Sequence, residues 1–125
     1  MTSKRIVNQR TLLILILAAA AWVRITGLNW GLPHTYEEAT PLRVAVSMWG
    51  WVTGQPTTLN PSFFNYPSLS FYLHFLIQGI LFLVLKLTGA MASVADWRFL
   101  YLTDPTPQYV AARLLGVTLG VMTVL

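Results

Sequence analysis

Apolar positions in this chain gather into three runs separated by mixed, proline-containing stretches. The first, TLLILILAAAAWVRITGL, covers 11–28. A helix that crosses a bilayer needs about 20 mostly apolar residues. This run meets that length if Arg24 snorkels to the interface and Trp22 and Trp30 sit at headgroup depth. Its basic flank and apolar centre also match a signal peptide, but the alanines lead into Trp22, Val23 and Arg24 rather than a small-residue cleavage site. The second run, YPSLSFYLHFLIQGILFLVLKL at 66–87, is long enough to span. His74 and Gln78 lie four apart in it and share one helix face. The third run begins near residue 108 and reaches 125 without a cap or aromatic anchor. This pattern predicts an all-α integral membrane protein whose third span is cut short, the N-terminal piece of a longer chain.

Between the first two runs, 29–65 forms a long loop with a helical pattern at about 41–52. Thr40 is its expected cap and Pro41 suits its first turn, while Gly54 and Pro56 follow its end. Arg43, Ser47 and Gly50 fall at i, i+4 and i+7, and apolar side chains cover most of the remaining circumference. A narrow polar stripe of this kind fits a helix lying in the membrane interface. A buried helix within a bundle fits it equally well. Residues 88–107 read as a connecting loop.

Composition sharpens this picture. Hydrophobic residues make up 55% of the 125 and charged residues 10%, against about 25% charged in ordinary soluble domains. Mean hydropathy is +0.60. The formal charge is +4, but the bases are scattered and form no stripe with exposed aromatics, which argues against a nucleic-acid partner. With no cysteine, a disulfide framework or a Cys-based zinc site is excluded. Lys4, Arg5 and Arg10 precede the first run, and Lys86 and Arg98 lie between the second and third, with Arg113 near the start of the third. The positive-inside rule then predicts a multi-pass cell-membrane protein with a cytoplasmic N-terminus, a cytoplasmic loop at 88–107 and an outward first loop.

Two of the chain's four acids, Glu37 and Glu38, are adjacent in that outer loop. Adjacent carboxylates need a compensating partner: a helix N-terminus, an arginine or a metal. One could act as a general base toward an attacking hydroxyl, or the pair could simply cap the following helix. Arg24 and Arg43 could each hold a phosphate or serve as an anchor or a partner for the acids. His74 and Gln78 could line a substrate path or hydrogen-bond a neighbouring helix. Asp104 and Arg113 are explained by a turn and an anchoring base on the cytoplasmic side.

Four stretches carry a resemblance: R-I-T-G-L-N-W-G-L-P at 24–33, Y-E-E-A at 36–39, L-N-P-S-F-F-N-Y-P-S-L at 59–69, and D-P-T-P-Q-Y-V-A-A-R-L-L-G at 104–116. Together they resemble the N-terminal region of polyprenyl-phosphate-sugar-dependent glycosyltransferases of the class C membrane fold. The nearest group is the protein O-mannosyltransferase and aminoarabinose transferase-like set. F-F-N-Y-P is the most specific piece. The resemblance implies a donor sugar on a polyprenyl phosphate in the membrane lipid, and a hydroxyl acceptor on protein, lipid or polysaccharide. It implies that Glu37 is the catalytic acid, with Glu38 beside it, where the family usually has Asp-Glu. Arg24, Arg43, Asn65 and Tyr66 are the implied substrate-binding residues. No cofactor is required, although a divalent metal bridging the carboxylates and the phosphate is compatible with this chemistry. The fragment alone is expected to be inactive. The competing readings are a non-catalytic membrane scaffold or subunit, and a piece of a transporter.

Overall fold

The computed structural model describes residues 8–33 and 39–124. Five helices follow in order: α1 (Gln9–Ile25), α2 (Ala39–Trp49), α3 (Ser68–Leu87), α4 (Val94–Thr103) and α5 (Thr106–Met122), with no strand among the described residues. The protein is all-helical, as its apolar patterning predicts. One described helix, α3, is long and apolar enough to cross a membrane. At 1.5 Å per residue, its 20 residues reach about 30 Å. Its outer side keeps Leu76, Ile80, Leu83 and Leu87 exposed, which is what a lipid-facing surface requires.

Asn8 caps α1, its Oδ1 accepting from the Arg10 backbone N–H at 3.2 Å. None of its residues is buried, and Ile14 is 64% exposed. The helix has 17 residues, three fewer than α3.

The predicted loop helix exists as α2, shifted two to three residues toward the N-terminus. Thr40 therefore lies inside the helix rather than capping it. Gly50, with φ of +70°, ends it, because only glycine enters the left-handed region without cost. The following loop returns over this end: the Thr58 N–H donates to Met48 O at 2.8 Å, and Thr57 Oγ1 to Trp49 O at 3.0 Å. These bonds satisfy carbonyls that a helix C-terminus leaves open. Ala39, Leu42, Ala45, Val46 and Met48 are buried. Of the two readings of the apolar circumference, the buried bundle helix is the one realised. Arg43 and Ser47 form the exposed stripe, but Gly50 is buried rather than part of it.

Packing of α2 on α3 is aromatic. The Trp49 ring stacks between Phe75 (centroids 4.1 Å apart, planes 6° apart) and Trp51 (4.4 Å), and its Nε1–H donates to Phe75 O at 2.8 Å. Gly79 makes room for that ring: a Cβ there would lie 2.7 Å from Trp49 Cζ2.

The stretch at 88–107 is not a plain connecting loop. It contains α4, started by a capping box in which the Ser93 side chain accepts from the Asp96 N–H and the Asp96 carboxylate accepts from the Ser93 N–H. From the Leu87 end of α3 the chain doubles back along it. The Met91 N–H donates to Leu85 O at 3.1 Å, Trp97 meets Phe82 edge-on at 6.0 Å, and Gln78 Nε2 donates to Gln108 O at 3.3 Å. Thus α5 starts beside the middle of α3, not beyond its end. A cluster of Ala39, Leu42, Val46 and Tyr109, flanked by Leu32, Val52 and Tyr101, closes the core between α2 and the start of α5.

Candidate functional site

Where α1 ends, α3 begins and α5 passes its midpoint, the helices leave a cleft of about 980 Å³. Its walls are mainly apolar: Leu28, Leu73, Leu115, Val117 and Leu119 contribute, together with Pro41 from the first turn of α2. The polar groups on it are Arg24 from α1, Tyr66 from the loop before α3, Ser70 from the start of α3, His74 one turn further, and Arg113 from α5.

Each is positioned by local structure. The Arg24 guanidinium folds back along its own helix, Nη1 donating to Ala20 O at 3.1 Å. The guanidinium rests against Gly120, where a Cβ would come within 2.8 Å of Arg24 Nε. Arg113 Nη1 donates to Leu28 O, and to Trp30 O at 2.9 Å. It thereby ties the turn after α1 to α5 by taking up carbonyls that no helix uses. Tyr66 is held by Phe63, whose ring lies 5.7 Å from it and meets the buried Phe71 edge-on at 5.9 Å. Tyr72 Oη donates to Leu59 O at 3.1 Å, fastening the same loop to α3. Ser70 Oγ donates to Pro67 O at 2.9 Å, and His74 Nδ1 sits 2.7 Å from Ser70 O. A carbonyl only accepts, so in the neutral ring Nδ1 carries the hydrogen and Nε2 keeps its lone pair.

The cleft therefore gathers Arg24 and Tyr66, two of the residues expected from sequence. Asn65 is exposed beside it but not on its wall, and Arg43 stands on the outer stripe of α2, where its charge acts on Tyr101. Glu37 and Glu38 lie outside the described residues; the chain resumes at Ala39, two residues before the cleft-lining Pro41. His74 and Gln78 separate. Gln78 is fully buried and makes the interhelical bond to Gln108, whereas half-buried His74 faces the cleft.

Sequence reasoning missed Arg113. It was expected on the cytoplasmic side, across the bilayer from the Trp30 end of α1, yet it hydrogen-bonds Trp30 O. The doubling back of α4 explains the error: α5 starts at half the depth of α3, so its second turn reaches the cleft.

Comparison with known proteins adds nothing to these observations. No family model matches the chain, and no curated protein or solved structure does either. What the cleft can do is read from its own chemistry. Two permanently charged guanidiniums on apolar walls suit a ligand with an anionic head and a hydrocarbon body, since guanidinium recognises phosphate oxygens through paired donors. Among the described residues no three His, Asp or Glu side chains converge as metal ligands. The acids that a bridging metal would need are the undescribed pair.

Proposed function

We propose that the chain is part of an integral-membrane glycosyltransferase that moves a sugar from a polyprenyl phosphate to a hydroxyl acceptor at the outer membrane surface. The observation that carries this reading is the pairing of Arg24 and Arg113 on an apolar cleft at the N-terminal end of the membrane-length helix. The guanidiniums would bind the lipid phosphate and stabilise it as the leaving group. The apolar walls would receive the first isoprene units. Glu37, on the segment leading to Pro41, would take the proton from the acceptor hydroxyl as it attacks the anomeric carbon, giving inversion. Glu38 would be its neighbour at the start of α2. Tyr66 would contact the donor from the loop side, and Arg43 and Asn65 would not.

The test is transfer by the intact membrane protein with varied donor. Arg24→Gln should raise KM for the donor about 10- to 100-fold, the loss of a charged hydrogen bond to phosphate, while Arg43→Gln should leave it unchanged. Equal effects from both would remove the cleft from the reading. A non-catalytic membrane subunit is favoured by one observation, the use of buried Gln78 as an interhelical tie; an intact protein that transfers no sugar would support it.

A further inference from the structure

We propose that His74 reads the sugar of the donor: its Nε2 accepts a hydrogen bond from a sugar hydroxyl while the arginines hold the phosphate. This rests on the glycosyl-donor reading above and assigns a residue that reading leaves without a role. Three observations support it.

First, the ring's tautomer is fixed locally. Nδ1 is committed to Ser70 O at 2.7 Å, so the neutral ring offers an acceptor, not a donor, at Nε2. Second, Nε2 lies on the side of the ring away from its own helix backbone, in a residue that lines the cleft, and it has no hydrogen-bond partner among the described residues. Third, the charged groups of the cleft wall, Arg24 and Arg113, only donate. A ligand carrying phosphate alone would engage the guanidiniums and leave Nε2 unmatched. A phosphate followed within a few bonds by a hydroxyl would satisfy both, and a glycosyl phosphate has that arrangement. The neighbouring Ser70 hydroxyl cannot substitute as a donor, because its hydrogen is spent on Pro67 O.

Binding of two synthetic diesters of equal charge to the intact protein in detergent tests this. The ligands are farnesyl mannosyl phosphate and farnesyl methyl phosphate, which lacks the sugar. The wild-type protein should prefer the mannosyl ligand by about 3- to 10-fold, the worth of one net hydrogen bond. His74→Leu should bind the methyl diester as well as wild type does but lose the preference. His74→Gln, which restores a carbonyl acceptor on a flexible arm, should recover part of it. An undiminished preference in His74→Leu overturns the inference and leaves the donor reading standing. So does a wild-type protein that binds both ligands equally. Loss of methyl-diester binding in His74→Leu would make the residue structural and also overturn it. If wild type binds neither diester, the donor reading itself fails.

Discussion

Replacing Gly79 by alanine tests the α2–α3 contact that sets the cleft's frame. The new methyl would sit 2.7 Å from Trp49 Cζ2 and 3.4 Å from Cη2, so the indole must retreat by roughly 1 Å to reach ordinary carbon contact. It has little room. Phe75 stacks on it at 4.1 Å and Trp51 at 4.4 Å, and Nε1 is tethered to Phe75 O at 2.8 Å. Overpacking of this kind costs about 1–3 kcal/mol. Damage to the stacks, worth about 0.5–1.5 kcal/mol per pair, is contained within that range. Alanine returns about 1 kcal/mol of helix propensity. The expected net loss is about 0–2 kcal/mol. Thermal unfolding in detergent, followed by near-ultraviolet circular dichroism of the tryptophans, reads both the stability and the indole environment. Trp49→Phe removes the colliding ring atoms, so the double variant should be less destabilised than the sum of its parts. Unchanged stability with an unchanged aromatic signal in Gly79→Ala would refute this packing.

Gly50 and Gly54 both have positive φ, +70° and +74°, but a Cβ at Gly50 would lie 2.0 Å from Gln55 O while one at Gly54 meets nothing within 4 Å. Gly54→Ala should cost about 1–2 kcal/mol for the left-handed backbone alone, and Gly50→Ala clearly more; equal losses in thermal stability would contradict the loop's return over α2. The Asp96 carboxyl is held below the usual 3.8 by backbone N–H groups of Ala92 and Ser93 and by the Ser93 hydroxyl. A depressed carboxyl stabilises the fold above its unfolded pKa and loses that contribution as pH falls through its folded pKa. The stability difference between wild type and Asp96→Asn should therefore be constant near neutrality and start to shrink as pH falls to 3.8 and below; a difference that grows on acidification would contradict the capping box.

Much of the helix order is legible in the sequence where the pattern is one-sided. The run at 66–87 has no interior charge before Lys86 and is bounded by Pro67 and Gly89, and α3 fills it almost end to end. Pro105 and Pro107 likewise mark the start of α5. By contrast, α4 (VADWRFLYLT) shows no apolar stripe and buries only Trp97, so hydrophobic periodicity passes over it. The Ser93-x-x-Asp96 spacing was the readable signal for its start. The site is legible in the same uneven way. Arg24 and Tyr66 stand out beside distinctive stretches. Arg113 does not, because its place depends on where α5 begins against α3, a tertiary relation fixed by Trp97, Phe82 and the Gln78–Gln108 contact. Reading successive apolar runs as stacked spans places it away from the cleft.

The most direct test of the glycosyltransferase reading is sugar transfer from a polyprenyl-phosphate donor by membranes containing the intact protein, wild type beside Glu37→Gln. The account predicts transfer by wild type and a fall of at least about 100-fold in kcat for Glu37→Gln, the usual range for a lost general base, with donor binding retained. Undiminished transfer by Glu37→Gln would contradict it.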